Sequence, residues 1–274
     1  MLYTTLKFLA IAAALWGLLS LYERWSVYPL DDTRIDPAQV GLPALREVRF
    51  RANDQTLILW VAEPKGDKPV ILYFHGNAGN LANRAQRFSL MIDQGYGLVA
   101  LAYRGSGGST GRPSERAITA DATALYDRIS EVLPGTDADR LVLYGESLGS
   151  GVAARLVSLR AERQPRAVIL EAPYTSIPDV ARHHMPWTAA LSWKMTNRWD
   201  TKEHIASLQA PLLILHGDRD RVIPFAQGQR VHERAATADK TFLAVNGAGH
   251  DDLWREDTRA SLWQFIEARA PGLP

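Results

Sequence analysis

The chain has 274 residues, no cysteine, a formal net charge of +1, and 46% hydrophobic against 22% charged residues. The near-zero net charge gives no electrostatic footprint for nucleic-acid binding, and the lack of cysteine excludes disulfides, thiolate metal sites and a cysteine nucleophile. This length and apolar content are enough for one large α/β domain with an N-terminal appendage.

An apolar run opens the chain. Residues Phe8–Tyr22 read FLAIAAALWGLLSLY, and Lys7 precedes them. A membrane-spanning helix needs about 20 residues; counting from residue 2 reaches this length if Lys7 lies at the interface, and Trp25 and Tyr28 then suit the opposite headgroup layer. We therefore predict that residues 1–28 form a single-pass membrane anchor. Lys7 favours a cytoplasmic N-terminus, with the rest of the chain on the non-cytoplasmic side.

The sequence of this run also permits two other interpretations. A cleaved signal peptide has an apolar region of about 7–15 residues followed by a small-x-small site, and residues 21–25 (LYERW) lack such a site. A buried core helix is the second interpretation, but the run is apolar all round. Both observations favour a retained anchor.

A polar, turn-rich segment follows the run, and a regular alternation begins after it. The segment covers residues 29–44 and predicts a linker. From residue 45 to residue 274, apolar or alternating runs predict strands at 46–51, 57–63, 70–75, 98–103, 141–144, 167–171, 212–216 and 241–245. Periodic stretches between them predict helices at 81–94, 115–132, 148–163, 225–235 and 258–270. This alternation predicts an α/β fold with a mostly parallel sheet flanked by helices.

A serine lies in the turn between a predicted strand and a predicted helix. Residues 145–149 (GESLG) match G-x-S-x-G, follow the strand at 141–144 and open the helix at 148–163. In this context the serine lies on a sharp, strained turn with its hydroxyl exposed at the carboxyl end of the sheet. A serine near a helix start is also common for capping alone. The partner residues further along the chain favour Ser147 as a nucleophile.

Two loops near the C-terminus offer an acid and a base. Residues 216–220 (HGDRD) follow one predicted strand and contain Asp218 and Asp220. Residues 247–250 (GAGH) follow the last predicted strand and contain His250. The chain order serine, acid, histidine is that of hydrolases with the G-x-S-x-G turn. We therefore predict that His250 takes the serine proton and that one of the two aspartates orients its ring.

A glycine-rich loop offers donors for an oxyanion. Residues 75–80 (HGNAGN) follow the strand at 70–75 and precede a helix, where one oxyanion donor is expected. We predict that the backbone N–H groups of Asn77 and of Leu148, directly after the nucleophile, form the oxyanion hole. The alternative is a Gly-Asn turn that only starts a helix.

Taken together, these stretches resemble the α/β-hydrolase superfamily and, more narrowly, the Bem46-like, membrane-anchored branch that includes the ABHD hydrolases. The matching stretches cover most of residues 70–253. They are HGNAGN (75–80), YRGSGGSTGRPSE (103–115), GESLGSG (145–151), EAPYTSIPDVA (171–181), PLLILHGDRDRVIP (211–224) and GAGHDDL (247–253).

The resemblance implies roles that the residues alone leave open. It implies that Asp220 is the acid, because the family pattern is HG-x-x-D followed by a hydrophobic residue and proline. It implies that the loop at 103–111 shapes the site, with Tyr103 in contact with substrate. Arg219 and Arg221 depart from the family, where an acidic neighbour of this aspartate is common. Family members with one N-terminal anchor include lipid and acyl-thioester hydrolases.

The resemblance also implies a small helical cap after the sixth strand, at about residues 173–210. This segment contains Trp187 and Trp193 among other apolar side chains. We expect these tryptophans to line an apolar acyl or aromatic pocket; the alternative is that they merely pack the cap on the sheet. An anchor near the bilayer and an apolar cap favour a lipid-like or hydrophobic ester as substrate.

The sequence thus predicts a serine hydrolase that cleaves carboxylic ester or thioester bonds of a hydrophobic or lipid-like substrate through an acyl-enzyme. A serine peptidase of the aminopeptidase type is the alternative on the same fold, and it would need an acidic group for the free amine. A catalytically dead, membrane-tethered binding protein is disfavoured because serine, acid and histidine are all present. No cofactor or metal is implied, since the sequence lacks a nucleotide-binding glycine motif and a phosphate loop.

Overall fold

The apolar runs of the sequence form the strands of a single sheet. The computed structural model describes residues 2–186 and 192–270. Within these ranges the strands are β1 (Arg46–Ala52), β2 (Gln55–Ala62), β3 (Val70–Phe74), β4 (Gly97–Leu101), β5 (Leu141–Glu146), β6 (Ala167–Glu171), β7 (Leu212–Gly217) and β8 (Lys240–Val245). Each lies within two residues of its predicted bounds, because β-rich apolar runs end where turn residues begin.

The strand order explains why the interior strands are continuous apolar runs. The order is β1-β2-β4-β3-β5-β6-β7-β8; β1 pairs antiparallel with β2 and β2 with β4, and every pair from β4 to β8 is parallel. Strands buried on both faces have no polar face, and all five side chains of β3 (VILYF) are buried. Core clusters fill both faces of the sheet. The predicted α/β-hydrolase fold, with a mostly parallel sheet flanked by helices, is confirmed.

Helices connect the strands and cover both faces. They are α1 (Leu2–Val27), α2 (Ala85–Asp93), α3 (Glu115–Asp127), α4 (Leu148–Leu159), α5 (Ile177–His184), α6 (Thr201–His204), α7 (Phe225–Arg234) and α8 (Glu256–Arg269). The predicted helices at 81–94 and 115–132 are each divided, since 3₁₀ turns occupy Leu81–Arg84 and Ile129–Glu131. Short 3₁₀ turns are common where helices begin and end.

The chain between β6 and β7 lies where the cap was predicted. It contains α5, α6 and the 3₁₀ turns Ser192–Lys194 and Ile205–Ser207. Ser176 begins α5 as its N-cap, because its side chain accepts a hydrogen bond from the N–H of Asp179. Trp199 anchors the end of this segment in the core with no exposed surface.

The N-terminal apolar run is helical, and its end is docked on the domain. Val27 and Tyr28, where α1 ends, are buried. None of the helices in the described part of the chain is both long and apolar enough to cross a bilayer. The predicted single-pass span is therefore not confirmed.

The segment predicted as a linker makes backbone contacts with the domain. Leu30 forms a parallel β-bridge with Gly79. The N–H of Gly79 donates to Pro29 O at 3.3 Å, and the N–H of Asp31 donates to Gly79 O at 3.1 Å. Asn80 also donates through Nδ2 to the Asp31 carboxylate, at 3.0 Å. The chain that leaves α1 is thus paired with the glycine-rich loop after β3.

Candidate active site

The four loops singled out in the sequence meet at one edge of the sheet. They follow β3, β5, β7 and β8, and parallel strands present their carboxyl ends at the same edge. The chain direction around the sheet switches at β3, since β4 lies on one side of it and β5 on the other. The crevice at such a switch point is where open α/β sheets bind ligands.

Ser147 occupies a strained turn between β5 and α4. Its backbone angles are φ 49° and ψ −111°, a region that L-residues rarely adopt. The glycines two residues away on either side allow the turn to be this tight. A Cβ on Gly145 would lie 2.5 Å from Gly149 O, and a Cβ on Gly149 would lie 2.0 Å from Phe74 O. The motif therefore needs glycine at both positions so that α4 can approach β3 and β5.

Ser147, His250 and Asp220 form a continuous chain of hydrogen bonds. Ser147 Oγ lies 3.1 Å from His250 Nε2, and His250 Nδ1 lies 2.7 Å from Asp220 Oδ2. The carboxylate can only accept, so Nδ1 carries the ring proton and Nε2 presents its lone pair to the serine hydroxyl. This is the arrangement in which imidazole acts as a general base toward a serine.

The Asp220 carboxylate is held from behind by backbone groups and by a second histidine. Its Oδ1 accepts from the N–H groups of Val222 and Ile223, both at 2.8 Å. His216, fully buried, directs Nε2 toward Ile223 O at 3.0 Å and lies 3.5 Å from Asp220 Oδ2. Asp218, the competing candidate, instead accepts from Gly247 N at 2.7 Å. The structure thus places Asp220, and not Asp218, against His250.

The electrostatics of this chain of hydrogen bonds sets the protonation states. Burial opposes ionisation of Asp220, but hydrogen bonds from His216 and His250 outweigh it and hold the pKa of this carboxyl below its ordinary value. Burial also disfavours the charged ring of His250, but the hydrogen bond and negative charge of Asp220 outweigh it, so the pKa of His250 lies above its ordinary value of 6.5.

We expect this raised pKa to set the acid limb of the pH profile. Only the neutral ring can accept the serine proton, so kcat/KM should rise with pH through a midpoint above 6.5. Replacing Asp220 with asparagine removes the group that raises the pKa, and the midpoint should then move to lower pH while the rate falls. Ester hydrolysis by both enzymes between pH 5 and pH 9 measures this. A midpoint that stays in place in the Asp220→Asn enzyme would contradict the assignment.

Two backbone N–H groups, in the loop after β3 and at the start of α4, have no acceptor among the described residues. Leu148 is the first residue of α4, where an N–H has no partner within the helix. The N–H of Asn77 likewise has no acceptor among the described residues, whereas that of Ser147 is already bonded to Glu171 O at 2.8 Å. Asn77 and Leu148 therefore remain the candidates for binding a developing oxyanion.

Beside Ser147 lies a largely buried ionic network that the sequence did not predict. Glu146 accepts two hydrogen bonds from the Arg84 guanidinium, at 3.0 and 2.8 Å, and one from Tyr73 Oη at 2.6 Å. Arg84 also donates to Ala78 O at 2.7 Å. Burial disfavours the charge of Glu146, but the adjacent arginines outweigh it and lower the pKa of this carboxyl. Arg84 thus ties the residue before the nucleophile to the loop that contains Asn77.

A second ion pair continues this network along the sheet. Arg87, one turn further along the chain, donates to both carboxylate oxygens of Glu171, at 2.9 and 2.7 Å. Glu146 and Glu171 are directly paired in the register of β5 and β6. Two glutamates ending neighbouring strands need compensating cations when they are buried. That pattern, with arginines three residues apart after the glycine-rich loop, is the signal that could have revealed the network.

We expect Arg84→Met to lower both stability and turnover. The change leaves the Glu146 carboxylate without its main partner, and breaking a buried pair from one side costs about 3 kcal/mol. It also frees Ala78 O, so the Asn77 loop loses a fixed point and kcat should fall roughly tenfold to a hundredfold. Urea unfolding and ester kinetics measure the two effects. In the double variant Arg84→Met/Glu146→Leu, stability should recover while kcat stays low; recovery of both would contradict the positioning role.

Tyr103 lies elsewhere than predicted. It is 1% exposed, its ring stacks on His75 with centroids 4.1 Å apart, and its hydroxyl donates to His75 O at 2.9 Å. Tyr103 therefore packs against the first residue of the loop after β3, and its side chain is not accessible to substrate. The family resemblance implied a contact with substrate, but Tyr103 lies two residues beyond the end of β4, and its ring and hydroxyl both contact His75.

The two predicted cap tryptophans give separate outcomes. Trp193 is 71% exposed and lies beside Lys194, whose Nζ is 5.1 Å from the ring centroid. It does not line the apolar cavity described next, although its neighbours Ser192 and Lys194 do. Trp187 lies outside the described residues.

Two cavities of different character flank the loop after β3. One, of about 480 Å³, is polar and is lined by Ala78, Arg84, Arg87, Glu146 and other residues. The other, of about 400 Å³, is mainly apolar and includes Asn77 in its wall. Both volumes fall within the usual range for small-molecule sites. Among the described residues no cluster of three or more histidine, aspartate or glutamate side chains could hold a metal ion.

The sequence of the chain matches a known protein family and several related proteins. Residues 65–203 and 195–257 match the family described as serine aminopeptidase, S33. An uncharacterized protein of Mycobacterium tuberculosis (strain ATCC 25618 / H37Rv) is 36% identical over 83% of this chain and 80% of its own length. The lysophosphatidylserine lipase ABHD12 of Gallus gallus is 35% identical over 72% of this chain and 55% of its own length.

Solved structures share the fold at low sequence identity. The Pyrococcus furiosus esterase Pf2001 has a TM-score of 0.71 and 18% identity, covering 88% of this chain and 99% of that one. The acylaminoacyl peptidase of Pyrococcus horikoshii has a TM-score of 0.66 and 19% identity, covering 84% of this chain and 42% of that one. The resemblance to ABHD-type hydrolases inferred from the motifs is confirmed. The chain is an α/β-hydrolase enzyme and belongs to the serine aminopeptidase S33 family.

Proposed function

We propose that this enzyme hydrolyses carboxylic ester or thioester bonds of a hydrophobic, single-chain lipid through an acyl-enzyme on Ser147. The observation that carries the proposal is the chain of hydrogen bonds from Ser147 Oγ through His250 to Asp220 on a strained turn. Three groups in this order activate a hydroxyl that is otherwise a weak nucleophile at neutral pH.

The proposed reaction has two halves. Ser147 Oγ attacks the acyl carbon while its proton moves to His250 Nε2, and the N–H groups of Asn77 and Leu148 stabilise the oxyanion. Collapse of this intermediate breaks the bond to the alcohol or thiol, which leaves with the proton from His250. Water then attacks the acyl-enzyme by the same route, and the carboxylic acid leaves. Asp220 keeps its charge throughout and stabilises the imidazolium.

The lipid character of the substrate rests on the relatives and on the apolar cavity. The ABHD12 relatives are named as lysophosphatidylserine lipases, and this chain spans about half of their length. The cavity of about 400 Å³ beside Asn77 offers apolar walls to a hydrophobic acyl group. A lysophospholipid-like ester with one acyl chain is the substrate class we propose.

A peptidase is the competing function, since the family description names an aminopeptidase. Such an enzyme needs a carboxylate to bind the free amine of its substrate. Glu146 and Glu171, which lie beside Ser147, are already paired with Arg84 and Arg87. Neither glutamate is therefore free to bind such an amine.

Covalent labelling of the full-length chain tests the proposed function. A fluorophosphonate probe should label the wild-type enzyme and not the Ser147→Ala variant. Hydrolysis of p-nitrophenyl acetate and of a lysophosphatidylserine should depend on the same serine. An aminoacyl-nitroanilide hydrolysed faster than every ester would move the assignment to a peptidase, and a folded wild-type enzyme without labelling would exclude serine catalysis.

We also infer that α1 attaches the enzyme to a membrane, with the sidedness predicted from Lys7. The helix exposes several large apolar side chains, Trp16, Leu21, Tyr22 and Trp25. Tryptophan and tyrosine favour the bilayer interface because their rings are apolar and their edges polar. Flotation of the full-length protein with phosphatidylcholine vesicles tests this; serine at all four positions should abolish flotation, and unchanged flotation would contradict the role of α1.

A further inference from the structure

The apolar cavity lies between the N-terminal helix and the cap. From α1 it is lined by Trp16, Tyr22 and Val27, and from α5 by Ile177, Val180 and Ala181. Neither helix encloses the cavity alone. The space exists because α1 packs across from α5, so the N-terminal helix forms a wall of the cavity and is more than a tether.

Asn77 links this cavity to the proposed oxyanion hole. Asn77 lines the cavity, and its N–H is one of the two donors proposed for the oxyanion. A substrate carbonyl bound to the Asn77 N–H would direct either its alkyl chain or its alcohol or thiol group into the cavity. The polar cavity on the other side of the loop is lined by Arg84, Arg87 and Glu146, and burying methylene groups against those charges would be unfavourable. The alkyl substituent therefore belongs on the α1 side.

The junction between α1 and the cap is fixed by polar contacts, of which those of Tyr28 are buried. The Glu23 carboxylate accepts from the N–H groups of Thr196 and Asn197, at 3.0 and 2.6 Å, and from Asn197 Nδ2 at 2.8 Å. Tyr28 Oη donates to Asn197 Oδ1 and accepts from Trp199 Nε1, both at 2.9 Å. Tyr28 and Trp199 are 6% and 0% exposed. Buried polar groups satisfied in this way specify one arrangement of the elements they join.

We propose that the cavity between α1 and α5 binds the acyl chain of the substrate, which makes the N-terminal helix part of the substrate-binding site. The inference rests on the proposed function and deepens it. The exposed aromatic side chains Trp16 and Tyr22 belong both to the cavity wall and to the surface of α1. A single-chain lipid can then pass from the bilayer along α1 to the nucleophile without its chain crossing water.

Filling the cavity from either wall tests the proposal. In the full-length enzyme, kcat/KM for p-nitrophenyl esters should rise with acyl length by up to about fourfold per methylene until the cavity is full. Ser20→Trp on α1 and Ala181→Trp on α5 place a large ring in the cavity. Both should lower kcat/KM for the dodecanoate ester by tenfold or more, and leave the acetate ester within about twofold of wild type.

Neighbouring residues that do not line the cavity provide the controls. Leu21→Trp and His183→Trp change exposed residues of the same two helices, and both should keep the wild-type preference for long chains. An unchanged dodecanoate-to-acetate ratio in Ser20→Trp and Ala181→Trp would overturn the acyl-site assignment while leaving ester hydrolysis intact. Failure of the wild-type enzyme to hydrolyse acetate through Ser147 is a different result, and it would remove the proposed function itself.

Crosslinking provides a measurement that does not depend on how well the tryptophan variants fold. A dodecyl fluorophosphonate with a terminal diazirine should first label Ser147 and then, on illumination, form crosslinks both to peptides from residues 16–27 and to peptides from residues 177–185. Crosslinks in both segments support the proposal. Crosslinks confined to peptides that line the polar cavity would overturn it.

Discussion

Replacing His250 with alanine is expected to lower kcat for an activated ester by about 10⁴-fold or more. Without the imidazole, the hydroxyl of Ser147 must lose its proton to water, and the leaving group must depart unprotonated. KM should stay within about threefold of wild type, because the cavities do not depend on this side chain. Stopped-flow hydrolysis of p-nitrophenyl butyrate measures both constants, and circular dichroism checks that the variant is folded.

The two neighbouring aspartates provide a matched control for this experiment. Asp220→Asn should lower kcat by about 10⁴-fold, since the amide can no longer hold the ring in the tautomer that faces the serine. Asp218→Asn should change kcat less than about threefold, because the Asp218 carboxylate accepts from the Gly247 N–H, whereas His250 is bonded to Asp220. Equal losses in the two variants, or a loss confined to Asp218→Asn, would contradict the assignment of the acid.

Replacing Gly149 with alanine is expected to destabilise the domain by more than about 4 kcal/mol, an exceptional value for one methyl group. A Cβ at this position would lie 2.0 Å from Phe74 O, and the backbone of a central strand cannot move aside as a flexible side chain can. Displacing α4 from β3 would also separate the N–H of Leu148 from that of Asn77. Thermal unfolding and fluorophosphonate labelling measure the two consequences.

Gly17, a second helical glycine, provides a control in which the added methyl group causes no steric clash. A Cβ on Gly17 in α1 meets no described atom within 4 Å. Gly17→Ala should therefore be neutral or slightly stabilising, because alanine is the better helix former. A Gly149→Ala enzyme that unfolds and labels as the wild type does would show that the strand and helix tolerate a wider separation than the structure indicates.

Much of the fold was predictable because the relevant patterns are local. The run VILYF at Val70–Phe74 has no polar face, so it could only be a strand buried on both sides. The G-x-S-x-G turn and the HGDRD stretch follow the buried strands β5 and β7, and His250 follows the edge strand β8. Parallel strands necessarily bring these loops to one edge. The three side chains could thus be predicted as neighbours, although not their distances.

The features that were missed depend on residues far apart in the sequence. Arg84 and Glu146 are separated by 62 positions, and no local pattern shows that one neutralises the other. Tyr103 was predicted to contact substrate, but the direction of its side chain depends on contacts with His75, 28 positions earlier in the sequence. The pairing of Leu30 with Gly79 was hidden because Pro29 and its neighbours have the composition of a linker.

The pairing of Leu30 with Gly79 couples the N-terminal helix mechanically to the loop that contains Asn77. The backbone of Pro29 and Asp31 is hydrogen-bonded to Gly79, two residues from the proposed oxyanion donor Asn77. A displacement of α1 is therefore transmitted to the loop that contains Asn77 through three residues of chain. Proteolysis within residues 29–44 would leave every proposed catalytic side chain in place and still release one edge of that loop. The turnover rate should therefore depend on whether α1 is present and docked. A fragment that lacks α1 should be a slower enzyme as well as one detached from the membrane.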